Sequence, residues 1–283
     1  MAKSAVNFAK VMETWRETVT ATSLSAGVVV GGEERLVAMA QQHFAAGGTS
    51  PATWALPLTE LGGLSSVPGE LVVLFVRPED EAGALAALEQ SSAKGGVVLA
   101  VDEGSLATSQ VSYPRRGYAR LSFSDTPRGW RRLFETCAET ADDHVVALGR
   151  RCPIVRAAAA RRVVHRTAAQ NALIGATFFL PGADLPAMTL NQVRMVLSLA
   201  GIYGAEIGRE RAVELVGVVG LGLGLRALAR SFLRSTPGLG WLIKASTGYT
   251  GTLAVGFAAM RYFEKGAPVA TSKLVALLRP LRR

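Results

Sequence analysis

Only two cysteines, Cys137 and Cys152, and three histidines, His43, His144 and His165, occur in the 283 residues. No cysteine or histidine spacing suits a metal ligand set, and nothing demands an oxidising compartment. His43, His144 and His165 stand apart in helical stretches and read as ordinary helix residues. Asp142-Asp143-His144 puts three consecutive side chains in three directions on a helix. GxSxG, HExxH, an EF-hand loop and GxGxxG after a strand are all missing, which removes the common hydrolase, metalloprotease, calcium and dinucleotide signatures. No Gly-Lys-Ser/Thr occurs anywhere. No uncharged run reaches the roughly 18–20 apolar residues of a spanning helix. Thr167–Ala183, Leu215–Leu225 and Ala245–Met260 come nearest, and they are rich in Gly, Ala, Ser and Thr.

Charge is present but divided. Residues 1–149 carry 12 Lys and Arg against 17 Asp and Glu, a net of −5, whereas residues 150–283 carry 19 against 5, a net of +14. The seam near Gly149 divides the chain into an expected α/β domain, 1–149, and a basic helical domain, 150–283. The expected fold class is α/β plus all-α. The N-terminal stretch has Val6, Phe8, Val11, Met12, Trp15 and Val19 at helical spacing and no signal-peptide core, so an amphipathic helix and a cytoplasmic chain are expected.

In the first half, apolar strands alternate with helices. Gly27–Val30, Trp54–Leu58, Leu71–Val76, Val97–Val101 and Ala119–Phe123 read as strands. Helices are expected over Glu33–Ala45, with Leu36, Val37, Ala40 and Phe44 on one face, over Pro78–Ser91, and from Pro127 with Trp130, Leu133 and Phe134 inward. Strands apolar throughout and separated by helices predict a parallel sheet covered on both faces, with ligand loops along one rim.

The order VVVGGEERLV, LTELGG, VVLAVDEG and SFS resembles an abbreviated Ras-like GTPase of the Era type. The resemblance implies a phosphate loop at Gly31 and Gly32, with Arg35 the only cation within reach. The Lys and Ser/Thr that hold phosphates and Mg²⁺ are missing, and Glu33 and Glu34 stand at the helix start, where carboxylates repel an anion. Glu60-x-x-Gly63 replaces the Mg²⁺-linked Asp-x-x-Gly, and Asp102-Glu103-Gly104 replaces Asn-Lys-x-Asp. The expectation is a pseudo-GTPase without cofactor. The alternatives are a plain strand-to-helix turn, or a divergent nucleotide-binding protein holding GTP or GDP with Mg²⁺ through Gly31, Gly32 and Arg35.

From Asp142 onward only helices are expected: a basic connector and helix over Arg150–Arg166, a segment ending near Leu180, Met188–Tyr203, Arg209–Arg234 and Ile243–Phe263, then the basic tail KLVALLRPLRR. Pro186, Ile202-Tyr203-Gly204, Arg230, Pro237-Gly238-x-Gly240, Thr252-x-x-x-Gly256, Arg261-Tyr262-Phe263 and Gly266 resemble the helical domain of unknown function appended to bacterial Era-type GTPases and found in YcjF-type membrane proteins. Over Thr167–Gly266 this implies architecture and association with membranes or proteins, and no catalytic residue. Gly220-x-x-x-Gly224 and Gly248-x-x-Gly251 offer gaps for close helix packing.

Arg226, Arg230 and Arg234 recur every four residues and, with Arg279, Arg282 and Arg283, suit an anionic membrane surface or a protein partner. An intramolecular face is the plainer reading of the stripe. Nucleic acid is not favoured, because aromatics are scarce among these arginines. The functional expectation is a non-catalytic structural or regulatory module, self-associating or peripheral to the inner membrane. An integral membrane protein with short hairpins at Leu215–Leu225 and Ala245–Met260 is the further alternative.

Overall fold

The computed structural model describes residues 8–24, 27–45, 53–56, 71–90, 96–102, 118–177, 185–205 and 240–265. Five strands, β1 Val28–Gly32, β2 Thr53–Leu56, β3 Leu71–Val76, β4 Gly96–Asp102 and β5 Tyr118–Phe123, form one sheet in the order β2-β1-β3-β4-β5. Every pairing is parallel. β1, β3 and β4 consist largely of Val and Leu, and their central residues are buried on both faces. That is the pattern required of a parallel sheet covered on both sides. The fold class is α/β followed by all-α.

Alternation along each strand separates the two faces. One face gathers Val29, Val72, Leu74, Val76, Val97, Leu99 and Val101 with Ala84 and Leu88 of α3, Glu81–Gln90. The opposite face carries Phe75 and Phe123. These meet Trp130 of α4 (Pro127–Thr140) at ring separations of 5.8 and 5.0 Å, and Phe44 of α2 (Glu34–Ala45) meets Phe134 of α4 at 5.8 Å. The buried face of α2 is Leu36, Val37, Ala40 and Phe44, as its periodicity predicts. α4 starts with Thr126, whose hydroxyl accepts from the Gly129 N–H at 3.0 Å, and with Pro127 in the first turn.

On the α3 face, a part-buried bidentate pair fixes that helix to the edge strand. Arg120 Nε donates to Glu81 Oε1 at 2.7 Å and Arg120 Nη2 to Glu81 Oε2 at 3.1 Å, with Glu81 almost fully buried.

After α4 come a short 3₁₀ turn at Asp142–His144 and α5, Val145–Arg151. α6, Pro153–Thr177, follows. Arg150–Arg166, expected as a basic connector and helix, holds the end of α5, a break at Cys152 and the first turns of α6. Cys152 is extended (φ −111°, ψ 92°), the conformation that a following proline favours, and Pro153 opens the next helix. α7 spans Leu185–Ile202 and α8 Gly240–Glu264. The expected helix Arg209–Arg234, Gly220-x-x-x-Gly224, Leu215–Leu225 and the basic tail lie outside the described residues.

By compactness the chain divides into residues 21–162 and residues 1–20 with 163–283. The charge seam at Gly149 is a separate property, because α5 and the basic first turns of α6 fall in the first of these units. The helical unit includes most of α1 (Phe8–Ser23), where Thr14 and Thr18 are buried and Glu17 pairs with Arg194 of α7 at 2.7 Å. Glycines let its helices meet closely. A Cβ at Gly248 would lie 2.8 Å from the Asn171 carbonyl, and one at Gly256 would lie 2.5 Å from Val164 Cγ1.

Between α6, α7 and α8 lies a polar core. Asn171 Nδ2 and Gln192 Nε2 both donate to Thr252 Oγ1, at 2.9 and 3.0 Å, while that hydroxyl donates to the Gly248 carbonyl at 2.7 Å. Asn191 Nδ2 donates to Asn171 Oδ1 at 3.1 Å. Gln192 Oε1 is buried without a partner. Among the described residues no helix is long and apolar enough to cross a membrane, and that includes α8, which contains Ala245–Met260.

Candidate functional site

In an open parallel sheet the ligand crevice lies beyond the carboxyl ends of the strands, where the strand order reverses. Here that point lies between β1 and β3. Gly31 is in register with Leu56 and Leu74, and Gly32 with Phe75, so pairing continues to the last residue of β1. Gly32 has φ +112°, a conformation that side-chain-bearing residues rarely adopt, and a Cβ there would overlap the Phe75 carbonyl oxygen. The next N–H, that of Glu33, donates to the same oxygen at 3.0 Å, and α2 begins at Glu34. A single residue therefore joins strand to helix. A phosphate-cradling loop needs several successive N–H groups turned outward. At this junction the chain is too short to offer them, and the Glu33 N–H points into the sheet.

Two cations among the described residues near the rim are paired locally. Arg35 pairs with Asp125, which follows β5, and the Asp125 carboxylate also accepts from Trp130 Nε1 at 3.0 Å. The indole bond first, then the Arg35 guanidinium, holds the Asp125 carboxyl below its ordinary range. Arg77, after β3, donates through Nε to Asp80 at 2.9 Å and lies 3.2 Å from Glu79. The Asp80 bond raises the pKa of the guanidinium further, so Arg77 keeps its proton. The described residues that follow the strands include Glu33, Glu34, Glu79, Asp80, Asp102 and Asp125 together with Arg35, Arg77 and Arg128. Glu60, Gly63, Glu103 and Gly104 lie outside the described residues, as do Arg226, Arg230, Arg234, Arg279, Arg282 and Arg283.

Beside the rim, an open groove of about 580 Å³ runs between α2, α4 and the first turns of α6. Met39, Phe134, Ile154, Ala157 and Ala158 give it an apolar floor, with Arg131 and Arg161 at its lips. Arg161 lies 3.6 Å from Glu135, and the His43 and Trp130 rings lie 4.4 Å apart, tilted by 41°. Residues from three helices converge here, and none of the local sequence patterns marks the groove.

Both cysteines are buried. Burial pushes the Cys137 thiol far up and Cys152 up to about 12, so neither is a thiolate at neutral pH. His165 rests against Phe257 in the helical unit, at 5.9 Å. Among the described residues no group of His, Cys, Asp or Glu could hold a metal ion.

No curated protein and no solved structure matches the chain. Residues 142–280 match the model of one family. The match covers just under half of the chain, includes the whole of Thr167–Gly266, and covers none of the sheet. Over those residues the chain is similar to the family described as Domain of unknown function (DUF697).

Proposed function

We propose that the protein is a non-catalytic pseudo-GTPase: a Ras-like sheet that no longer binds nucleotide, joined to a helical domain through which it acts as a structural or regulatory interaction module. The observation that supports this most is the β1–α2 junction, where one residue replaces a loop and the Glu33 N–H bonds to Phe75. The strand order, an all-parallel β2-β1-β3-β4-β5, is compatible with an abbreviated Ras-like sheet. Calorimetric titration with GTP, GDP and ATP in the presence of Mg²⁺ should give no binding heat at micromolar nucleotide. Saturable micromolar binding of any of them would replace this reading with that of a divergent nucleotide-binding protein.

The partners of the module are other proteins, further copies of the chain, or an anionic membrane surface. The net charge of +14 in residues 150–283 supports the last. Each basic residue near an anionic leaflet contributes about 1 kcal/mol, so peripheral attachment needs no spanning helix. Co-sedimentation with phosphatidylglycerol vesicles, lost in phosphatidylcholine vesicles and at high salt, is the expected result. Equal recovery with both lipids, or none with either, removes the membrane from the proposal.

A further inference from the structure

We infer that the α2/α4/α6 groove binds a single-chain anionic amphiphile, its acyl chain along the apolar floor and its carboxylate on Arg131 at the lip. The lining of the groove includes no residue of the β1–α2 junction, so this inference goes beyond the pseudo-GTPase reading and the two fail separately.

Size and lining point to one flexible chain. At about 580 Å³ the space lies within the roughly 300–1,000 Å³ of small-ligand pockets. One acyl chain fits that volume, whereas the two chains and headgroup of a phospholipid exceed it. Ile154 is 36% exposed, one of four large hydrophobic side chains so exposed among the described residues. Trp130 and Phe134 show only 6% and 8% of their surface, so a ligand meets mainly the aliphatic set Met39, Ile154 and Ala157. A thioether chain adapts its shape to what lies against it, and methylenes placed on this floor leave water.

Charge selects the headgroup. The ionised side chains that line the groove are Asp125, Glu135, Arg131 and Arg161. Asp125 is already engaged by Arg35 and by Trp130 Nε1. Glu135 and Arg161 are each about half exposed and stand 3.6 Å apart, beyond hydrogen-bond length, so they offset one another without locking together. Arg131 is exposed and has no hydrogen-bond or ion-pair partner among the described residues. Arg128 and Arg132, exposed on the same helix, add to its field. A free guanidinium takes a carboxylate in a two-point, charge-assisted bond. An apolar trough bordered by such a cation matches both parts of an amphiphilic anion. A cationic amphiphile meets repulsion there, and a neutral one leaves the arginine unused.

The test titrates the full chain with sodium decanoate below its micelle concentration, with 1-decanol and decyltrimethylammonium as neutral and cationic controls. Calorimetry is expected to show saturable binding of one decanoate per chain, with both controls weaker by about tenfold or more, the loss of one charge-assisted bond. Ala157→Trp fills the trough and should weaken decanoate by at least about tenfold. Arg131→Glu should weaken decanoate to a similar degree and tighten decyltrimethylammonium, a gain that damage to the fold does not produce. Both positions are exposed, and an unchanged circular dichroism melt checks each variant. Ile154→Gln replaces Ala157→Trp if the latter unfolds. No saturable binding, equal affinity for the three amphiphiles, or folded variants that bind decanoate as the wild type does overturns the proposal. Capture by phosphatidylglycerol vesicles that Ala157→Trp abolishes, with no binding of free decanoate, overturns it too and assigns the groove to a lipid surface.

Discussion

The two compact units bury their interiors by different chemistry. In the sheet unit the interior is Val, Leu and Phe, and polar groups enter it as a backbone ladder or as the bidentate Arg120–Glu81 pair. In the helical unit, Asn171, Gln192 and Thr252 sit at 0–2% exposure among Ala, Val and Met. A parallel sheet satisfies its own backbone, so side chains can be wholly apolar. Helices also satisfy their own backbone, yet apolar contacts between Ala- and Gly-rich helices are non-directional and tolerate sliding. The Asn171–Thr252–Gln192 bonds are directional, and they fix α6, α7 and α8 in one register. Specificity therefore comes from the backbone in one unit and from side-chain hydrogen bonds in the other.

Substitution can break that contrast. The largest effect is expected in the sheet unit for Gly32→Val. It combines a positive φ with an overlap on the Phe75 carbonyl, and chemical denaturation should show a loss of about 3–5 kcal/mol. A loss below about 1 kcal/mol would mean that β1 does not close on β3 at Gly32. In the helical unit Asn171→Leu should cost about 2–3 kcal/mol, because Met188 O, Asn191 and Thr252 each lose a partner. Gln192→Met should lie within about 1 kcal/mol of wild type. It loses one bond to Thr252, which keeps Asn171, and it also removes the orphaned Oε1. Equal losses for these last two variants would show that the network acts as a single unit and not as one anchor with a loose end.

The strands were legible because runs such as LVVLFV have few other ways to be buried. The helices α2 and α4 were legible from the spacing of Leu36, Val37, Ala40 and Phe44, and of Trp130, Leu133 and Phe134. The α5–α6 break was signalled by Pro153 alone, inside an otherwise continuous run of arginine and alanine. The polar core was not legible, since Asn, Gln and Thr on a helix ordinarily face water. The rim showed a further limit. Sequence located Gly31, Gly32 and Arg35, but the acid that engages Arg35 lies ninety residues away, and the groove exists only where three helices meet.

The bond between Asp125 and Trp130 has an optical consequence. The Trp130 indole is only 6% exposed, sits among Phe75, Phe123 and Phe134, and has its N–H tied to a carboxylate at one wall of the groove. Its fluorescence senses whatever enters that space. In a chain whose other tryptophans are replaced by phenylalanine, a spectral shift on adding ligand, vesicles or more protein would report which of them reaches the groove, with no label attached.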